Sequence, residues 1–283
     1  MAVLAALAGA LCIGTADFMG GIAARRSHPL VTARAINLVA LGALALAAVA
    51  VRPELDATAV AAALIGGVVA AAALVLIYAS LAAGAMSLTA PLIACGSALV
   101  PTTVAVAAGD VPNERQAAGI ALVLAGIVAI TATPPGDADH VPLTRRALAL
   151  TAAASLVGGA AFAIILAAVE GGDASDAVGV AALARLASTA VCIALVPLVL
   201  RATPRPTPPA RPVLAAGAME AGGSTCFLIG STLGTAAVTA VIVSLYAVVT
   251  VMLAQALLRE RIATHQGAGL VAAAAGIALL SAS

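Results

Sequence analysis

Apolar residues along this chain come in long, nearly unbroken runs, without the strict alternation of a half-buried strand. Short polar breaks separate the runs: ARRSHP (24–29), RPELD (52–56), GDVPNER (109–115), EGGDASD (170–176) and RERIATHQ (259–266). Two breaks are longer, PPGDADHVPLT (134–144) and the proline-rich RATPRPTPPARP (201–212). A spanning helix needs about 20 mostly apolar residues, which is the length of these runs. The pattern predicts ten transmembrane helices over 2–24, 30–51, 58–83, 86–108, 115–133, 145–170, 176–200, 211–233, 236–258 and 264–281. The expected fold class is therefore all-α and polytopic, with no room for a soluble domain. The first run lacks a basic leader, carries Asp17 and is followed by Arg25-Arg26, so it reads as a mature helix, not a signal peptide.

Composition agrees with the pattern. Hydrophobic residues make up 63% of the 283 and charged ones 9%, whereas a soluble domain carries about a quarter charged. The net charge of +1 gives no basic face for phosphates, so a nucleic-acid partner is not expected. Cys12, Cys95, Cys192 and Cys226 have no CxxC spacing and read as small packing residues. No HExxH, Walker A or GxSxG motif is present, so neither a metal, a cofactor nor a catalytic centre is expected.

All 13 cationic side chains are Arg. The breaks place nine on one side (25, 26, 145, 146, 201, 205, 211, 259, 261), and only Arg52 and Arg115 on the other. By the positive-inside rule the Arg count favours a cytoplasmic nine-Arg side with both termini outside, and the orientation stays open.

The chain also repeats itself. Residues 88–132 align with 238–282 at an offset of 150: Thr89 with Thr239, Gln116 with Gln266, Gly119 with Gly269, Gly126-Ile127 with Gly276-Ile277, and Asp110 with Glu260. Gly14, Ala16 and Phe18 align with Gly158, Ala160 and Phe162 at an offset of 144, and Ala33-Arg34 with Ala184-Arg185 at 151. Five helices is an odd number, so a second copy enters the membrane upside down. Such inverted repeats place a substrate site near the midplane between the halves of a secondary transporter. The expected organisation is one five-helix repeat over 1–133, a linker over 134–144, and a second repeat over 145–283.

Three stretches carry a resemblance: ADFMGG at the end of the first helix, SLYAVVTVMLAQALLRERIATHQGAG (244–269), and its degenerate copy APLIACGSALVPTTVAVAAGDVPNERQAAG (90–119). With these the chain resembles the EamA branch of the drug/metabolite transporter superfamily. It departs from that pattern at Ala247, where a proline often follows the SLY. The resemblance implies a ten-helix secondary transporter in the cell membrane. It would move a small metabolite or amino-acid-like compound by alternating access, with export commoner than import. Proton coupling and a homodimer are left open. The alternative class, a membrane enzyme acting on lipid or isoprenoid, would need clustered acids or histidines.

Four ionisable residues fall within helices: Asp17, Arg34, Arg185 and Glu220. Charges at that depth face a bundle interior or a cavity and find partners. From the Arg-rich side, Asp17 lies about 10 Å deep, Arg34 about 6 Å, Glu220 about 14 Å and Arg185 about 18 Å. Asp17–Arg34 and Arg185–Glu220 pairs are thus both feasible. Ala10, Gly14, Asp17 and Gly21 share one small-residue face, which turns Asp17 into the bundle. Such pairs either bind substrate and protons or fix helix register. Tyr78, Tyr246, Asn37, Ser97 and Ser224 are further polar candidates for the cavity. The acids of GDVPNER and RERIATHQ are expected to cap helices or pair locally with Arg.

Overall fold

The computed structural model describes residues 1–107, 114–131, 144–169, 171–200, 207–233, 243, 245–260 and 264–281. Among them are ten α-helices and no strand: α1 (Ala2–Arg25), α2 (Pro29–Val51), α3 (Ala57–Ala83), α4 (Met86–Ala107), α5 (Glu114–Thr131), α6 (Arg145–Ala167), α7 (Ala174–Val199), α8 (Ala210–Leu233), α9 (Tyr246–Leu258) and α10 (Thr264–Ser281). Their bounds lie close to the expected ones. The expected start of the ninth helix, the long linker, Asp110 and Glu170 lie outside the described residues.

Six helices are long and apolar enough to cross a membrane: α1, α2, α3, α6, α7 and α8. The other four hold shorter apolar stretches, Met86–Ser97, Ala117–Gly126, Tyr246–Leu258 and Gly267–Gly276. Together they define a polytopic membrane protein.

The breaks stop and start helices by ordinary capping chemistry. Pro29 opens α2 while the His28 side chain accepts the Leu30 N–H. Asp56 accepts the Ala59 N–H at 2.7 Å and the Thr58 hydroxyl at 2.7 Å. Those bonds hold its carboxyl below the usual range. Asp173 and Asp176 form a capping box at the start of α7.

The burial pattern suits a lipid solvent. Leu46, Ile65, Leu198 and Leu214 point outward, while much of the interior is alanine and glycine. Small interfaces let helix backbones approach closely, which is the main source of helix association where lipid tails are as apolar as leucine. The principal pairings are α1 with α8, α3 with α6, α2 with α7 and α5 with α10, joined by α1–α9, α4–α6, α2–α8 and α3–α7. Replacing each helix by the one five places away maps this set onto itself. The glycine contacts follow the same exchange. A Cβ at Gly126 would lie 2.7 Å from the Gly269 carbonyl oxygen, and one at Gly276 would lie 2.7 Å from that of Gly119.

Chain ends alternate between two faces. Arg25, the last residue of α1, bonds the Gly84 carbonyl between α3 and α4 and the Glu260 carboxylate after α9. Gly179, near the start of α7, instead abuts Pro53 and Leu55 between α2 and α3.

Gly67 on α3 lies against the backbone of Ala184 on α7, so Gly67→Ala forces two buried helices apart. Overpacking of this kind costs about 1–3 kcal/mol. Gly42 has open space around its Cβ position, so Gly42→Ala is expected to be neutral or mildly stabilising. Thermal unfolding of both variants in detergent checks the contrast.

Candidate functional site

The predicted Arg185–Glu220 pair exists. Arg185 Nη2 on α7 donates to Glu220 Oε1 on α8 at 2.8 Å, and the two side chains are only 11% and 16% exposed. The other arm of the guanidinium, Nη1, donates to Asn37 Oδ1 on α2 at 2.7 Å. Asn37, fully buried, passes the network on by donating to Ser188 Oγ at 2.9 Å and Cys192 Sγ at 3.5 Å. Arg185 therefore ties α2, α7 and α8 together at one depth. A guanidinium suits this because its planar fork serves two acceptors at once.

Asp17 on α1 is 7% exposed. Its small-residue neighbours explain that burial: Gly14 lies against the Tyr246 carbonyl and Val249 of α9, and Gly21 against Leu81 and Met86. Thr250 donates to the Gly14 carbonyl at 3.0 Å, which fixes α9 on α1 beside the acid. The predicted Asp17–Arg34 pair does not form. α2 packs chiefly on α7 and α8 and only slightly on α1, so half-buried Arg34 faces the Cys192 region and not Asp17. Among the described residues Asp17 has no ion pair and accepts no hydrogen bond. Glu220 lies within Coulombic reach of it.

Tyr78 on α3 completes this corner. It is fully buried, and its hydroxyl has no hydrogen-bond partner. It lies within Coulombic reach of Glu220, Asp17 and Arg185. Its ring rests on Gly20, one turn beyond Asp17, where an added Cβ would overlap the phenol. Tyr246, partly buried at the start of α9, lies within Coulombic reach of Asp17. The cluster thus draws Asp17, Asn37, Tyr78, Arg185, Glu220 and Tyr246 from six helices, with Ser188 and Cys192 as additions the sequence did not single out.

Ser97 and Ser224 stand apart from this network. Ser97 donates to the Ser155 carbonyl of α6 at 3.2 Å, and Ser224 bonds back to the Glu220 carbonyl at 2.7 Å. Both hydroxyls are committed to backbone, as serines in such helices commonly are. Among the described residues no group of three or more His, Cys, Asp or Glu could hold a metal ion.

A second charged centre lies at the Arg-rich face. Arg25 Nη2 donates to Glu260 Oε1 at 3.1 Å and to the Gly84 carbonyl at 3.0 Å. Glu260 also accepts the Met86 and Ser87 N–H groups at 3.3 and 2.9 Å. A carboxylate satisfies the free donors of a helix start and complements its dipole. Glu260 thus caps a helix, as the break RERIATHQ suggested, but the helix is α4 and the Arg is 235 residues away. Arg259 enables this by adopting φ 56°, which turns the chain back over α4. The clasp joins the ends of α1, α3 and α9 at one face. On the same side α1 packs against α3, while α6 and α8 show no comparable pairing among the described residues.

The membrane bundle thus buries an Arg–carboxylate network across α2, α7 and α8, with Asp17, Tyr78 and Tyr246 beside it on three further helices. The family model of the EamA-like transporter family matches residues 145–282. The second half of the chain therefore belongs to that family and, through it, to the drug/metabolite transporter superfamily. Its setting is the lipid bilayer, and its cargo is a small molecule. No curated protein matches the chain.

The two acids differ in partners, so they should differ in their effect on stability. Glu220→Ala strands Arg185 in the interior and is expected to cost about 3 kcal/mol or more. Asp17→Asn removes a carboxylate that nothing compensates, and is expected to leave the melting temperature unchanged or raise it. Thermal unfolding of the two variants, measured side by side, checks this order.

Proposed function

We propose that this protein is an exporter of a small amino-acid-like metabolite across the cell membrane, working by alternating access between two inverted five-helix halves, 1–133 and 145–283. The observation that carries the reading is the buried corner formed by Asp17 and Tyr78. Both bear polar groups without a hydrogen-bond partner among the described residues, on or against α1, which packs on α3, α8 and α9. A transporter needs such groups free in one state and engaged in another. Arg185 and Glu220, already paired, would hold the floor of the site, with Asn37 fixing the guanidinium. Tyr246 would border the site from α9. All these groups come from one chain, so the transport unit in this reading is a single copy.

The inverted arrangement is supported by the exchange of helix pairings and by the matched Gly126 and Gly276 contacts. The break in that symmetry supports alternation. The Arg25–Glu260 clasp joins helix ends at the Arg-rich face, and the residue matching Arg25 at the 144 offset is Val169, which has no charge to form such a clasp. The clasp thus has no counterpart among the described residues of the opposite face, which supports unequal stability of the two faces. An uncompensated carboxylate also offers a place for a proton when substrate leaves, which supports proton-coupled export.

Saturable uptake of labelled metabolites into proteoliposomes, with and without a pH gradient, tests the reading. Wild-type flux is expected to respond to the gradient, and Asp17→Asn to lose at least tenfold of it. Gradient-independent flux in wild type would refute the coupling, and absence of flux for every compound would refute transport.

Arg25→Gln and Glu260→Ala are expected to speed labelling of a Leu81→Cys reporter by an impermeant thiol reagent at least fivefold from the Arg-rich face. Arg26→Gln, which alters the neighbouring exposed charge, should leave the rate unchanged.

A further inference from the structure

We propose that the Asp17–Tyr78 corner is an ammonium subsite, selective for a primary or secondary amine over a quaternary one. The inference deepens the transport reading above and rests on it for the biological role. The chemistry itself is read from the geometry of the corner.

Three observations converge. First, the charges in the cluster are unequal: Arg185 is committed to Glu220 and Asn37, which leaves the Asp17 carboxylate with no compensating cation. Arg34 on α2 lies toward Cys192 and makes no ion pair among the described residues. A guest at Asp17 is therefore a cation. Second, the Tyr78 hydroxyl is buried and unpartnered. Leaving that hydrogen bond unmade is costly in a site away from water. A bare proton on Asp17 would leave it unmade; a guest with several N–H donors would not. An alkylammonium has up to three, enough to donate to both the carboxylate and the phenol oxygen. A quaternary ammonium has none. It would compensate the charge of Asp17 while leaving Tyr78 unsatisfied. Third, the phenol is held tightly on α1. Tyr78 rests on Gly20, and Gly21 is wedged against Leu81 and Met86. Gly20 has no side chain, and this is what admits the phenol beside Asp17.

The selectivity has a definite source in each residue. Asp17 supplies the charge and Tyr78 reads the N–H. Gly20 positions Tyr78 and touches no guest itself.

The test uses the purified full-length chain and four probes of matched shape: phenethylamine, its N,N,N-trimethyl form, 2-phenylethanol and 3-phenylpropionate. Binding is read by competition against radiolabelled phenethylamine in detergent, and flux of each labelled probe is read in proteoliposomes. Wild type is expected to bind phenethylamine at least tenfold more tightly than the trimethyl form, and to ignore the alcohol and the acid. Tyr78→Phe should bring the amine-to-trimethyl ratio close to one while keeping cation binding. Asp17→Asn should abolish binding of both cations, and Gly20→Ala should weaken the amine. Melting temperatures of the variants show that each is folded. Asp17→Glu, which keeps the charge, is expected to retain measurable amine binding if Asp17→Asn fails to fold.

Equal binding of the two cations, an unchanged ratio in Tyr78→Phe, or no binding of any probe overturns the ammonium subsite. Flux of the alcohol or acid without amine binding would overturn it and leave the transport reading standing. Selective amine binding without flux of any probe would sustain the subsite and count against transport.

Discussion

A guanidinium cannot be left facing hydrocarbon, and the position of Arg185 midway along α7 constrains much of what surrounds it. Its charge at that depth demands acceptors, and Glu220 and Asn37 supply them. Those two acceptors sit on different helices, so meeting the demand also sets how α2, α7 and α8 lie relative to one another. Glycine then makes the geometry attainable. Gly67 lets α3 reach α7, and Gly217 lets α8 reach α2, with the Ile36 carbonyl only 3.0 Å from where a Cβ would stand. The polar network and the small-residue seams are thus parts of one solution, in which close backbones bring charges together and paired charges hold backbones in register.

Asp17 is an exception to this economy. It lies at a comparable depth in α1, in an equally close seam, and yet lacks a partner among the described residues. Natural membrane helices rarely keep an acid at such a position without a use for it. The neighbouring Tyr78 repeats the anomaly in neutral form. One unsatisfied group could be an accident of packing. Two together, beside a satisfied ion pair, describe a place where something else completes the bonding.

Much of this was legible in the sequence. Ten runs of apolar residues gave the helices, because a membrane leaves few other ways to satisfy a backbone. Arg185 and Glu220 could be paired from depth alone, since 1.5 Å per residue converts position into height. The same arithmetic failed for Asp17 and Arg34. Depth says who is at the same level but not which helices are neighbours, and α1 and α2, adjacent in the chain, barely touch. Ser97 and Ser224 were chosen as polar residues in apolar helices, but a hydroxyl can satisfy itself on nearby backbone, and no periodicity reveals that choice. The Arg25–Glu260 clasp was out of reach for a similar reason. Its members are far apart in the chain, and the turn that joins them depends on Arg259 adopting a left-handed conformation that arginine seldom takes.

The central claim is that the unpartnered corner of Asp17 and Tyr78 is where cargo binds. An experimental structure of the full chain with a transported compound bound tests it most directly. A polar group of the compound is expected within hydrogen-bond distance of both the Asp17 carboxylate and the Tyr78 hydroxyl, with the Arg185–Glu220 pair intact. A compound bound elsewhere, with Asp17 and Tyr78 satisfied by protein groups or by each other, would contradict it.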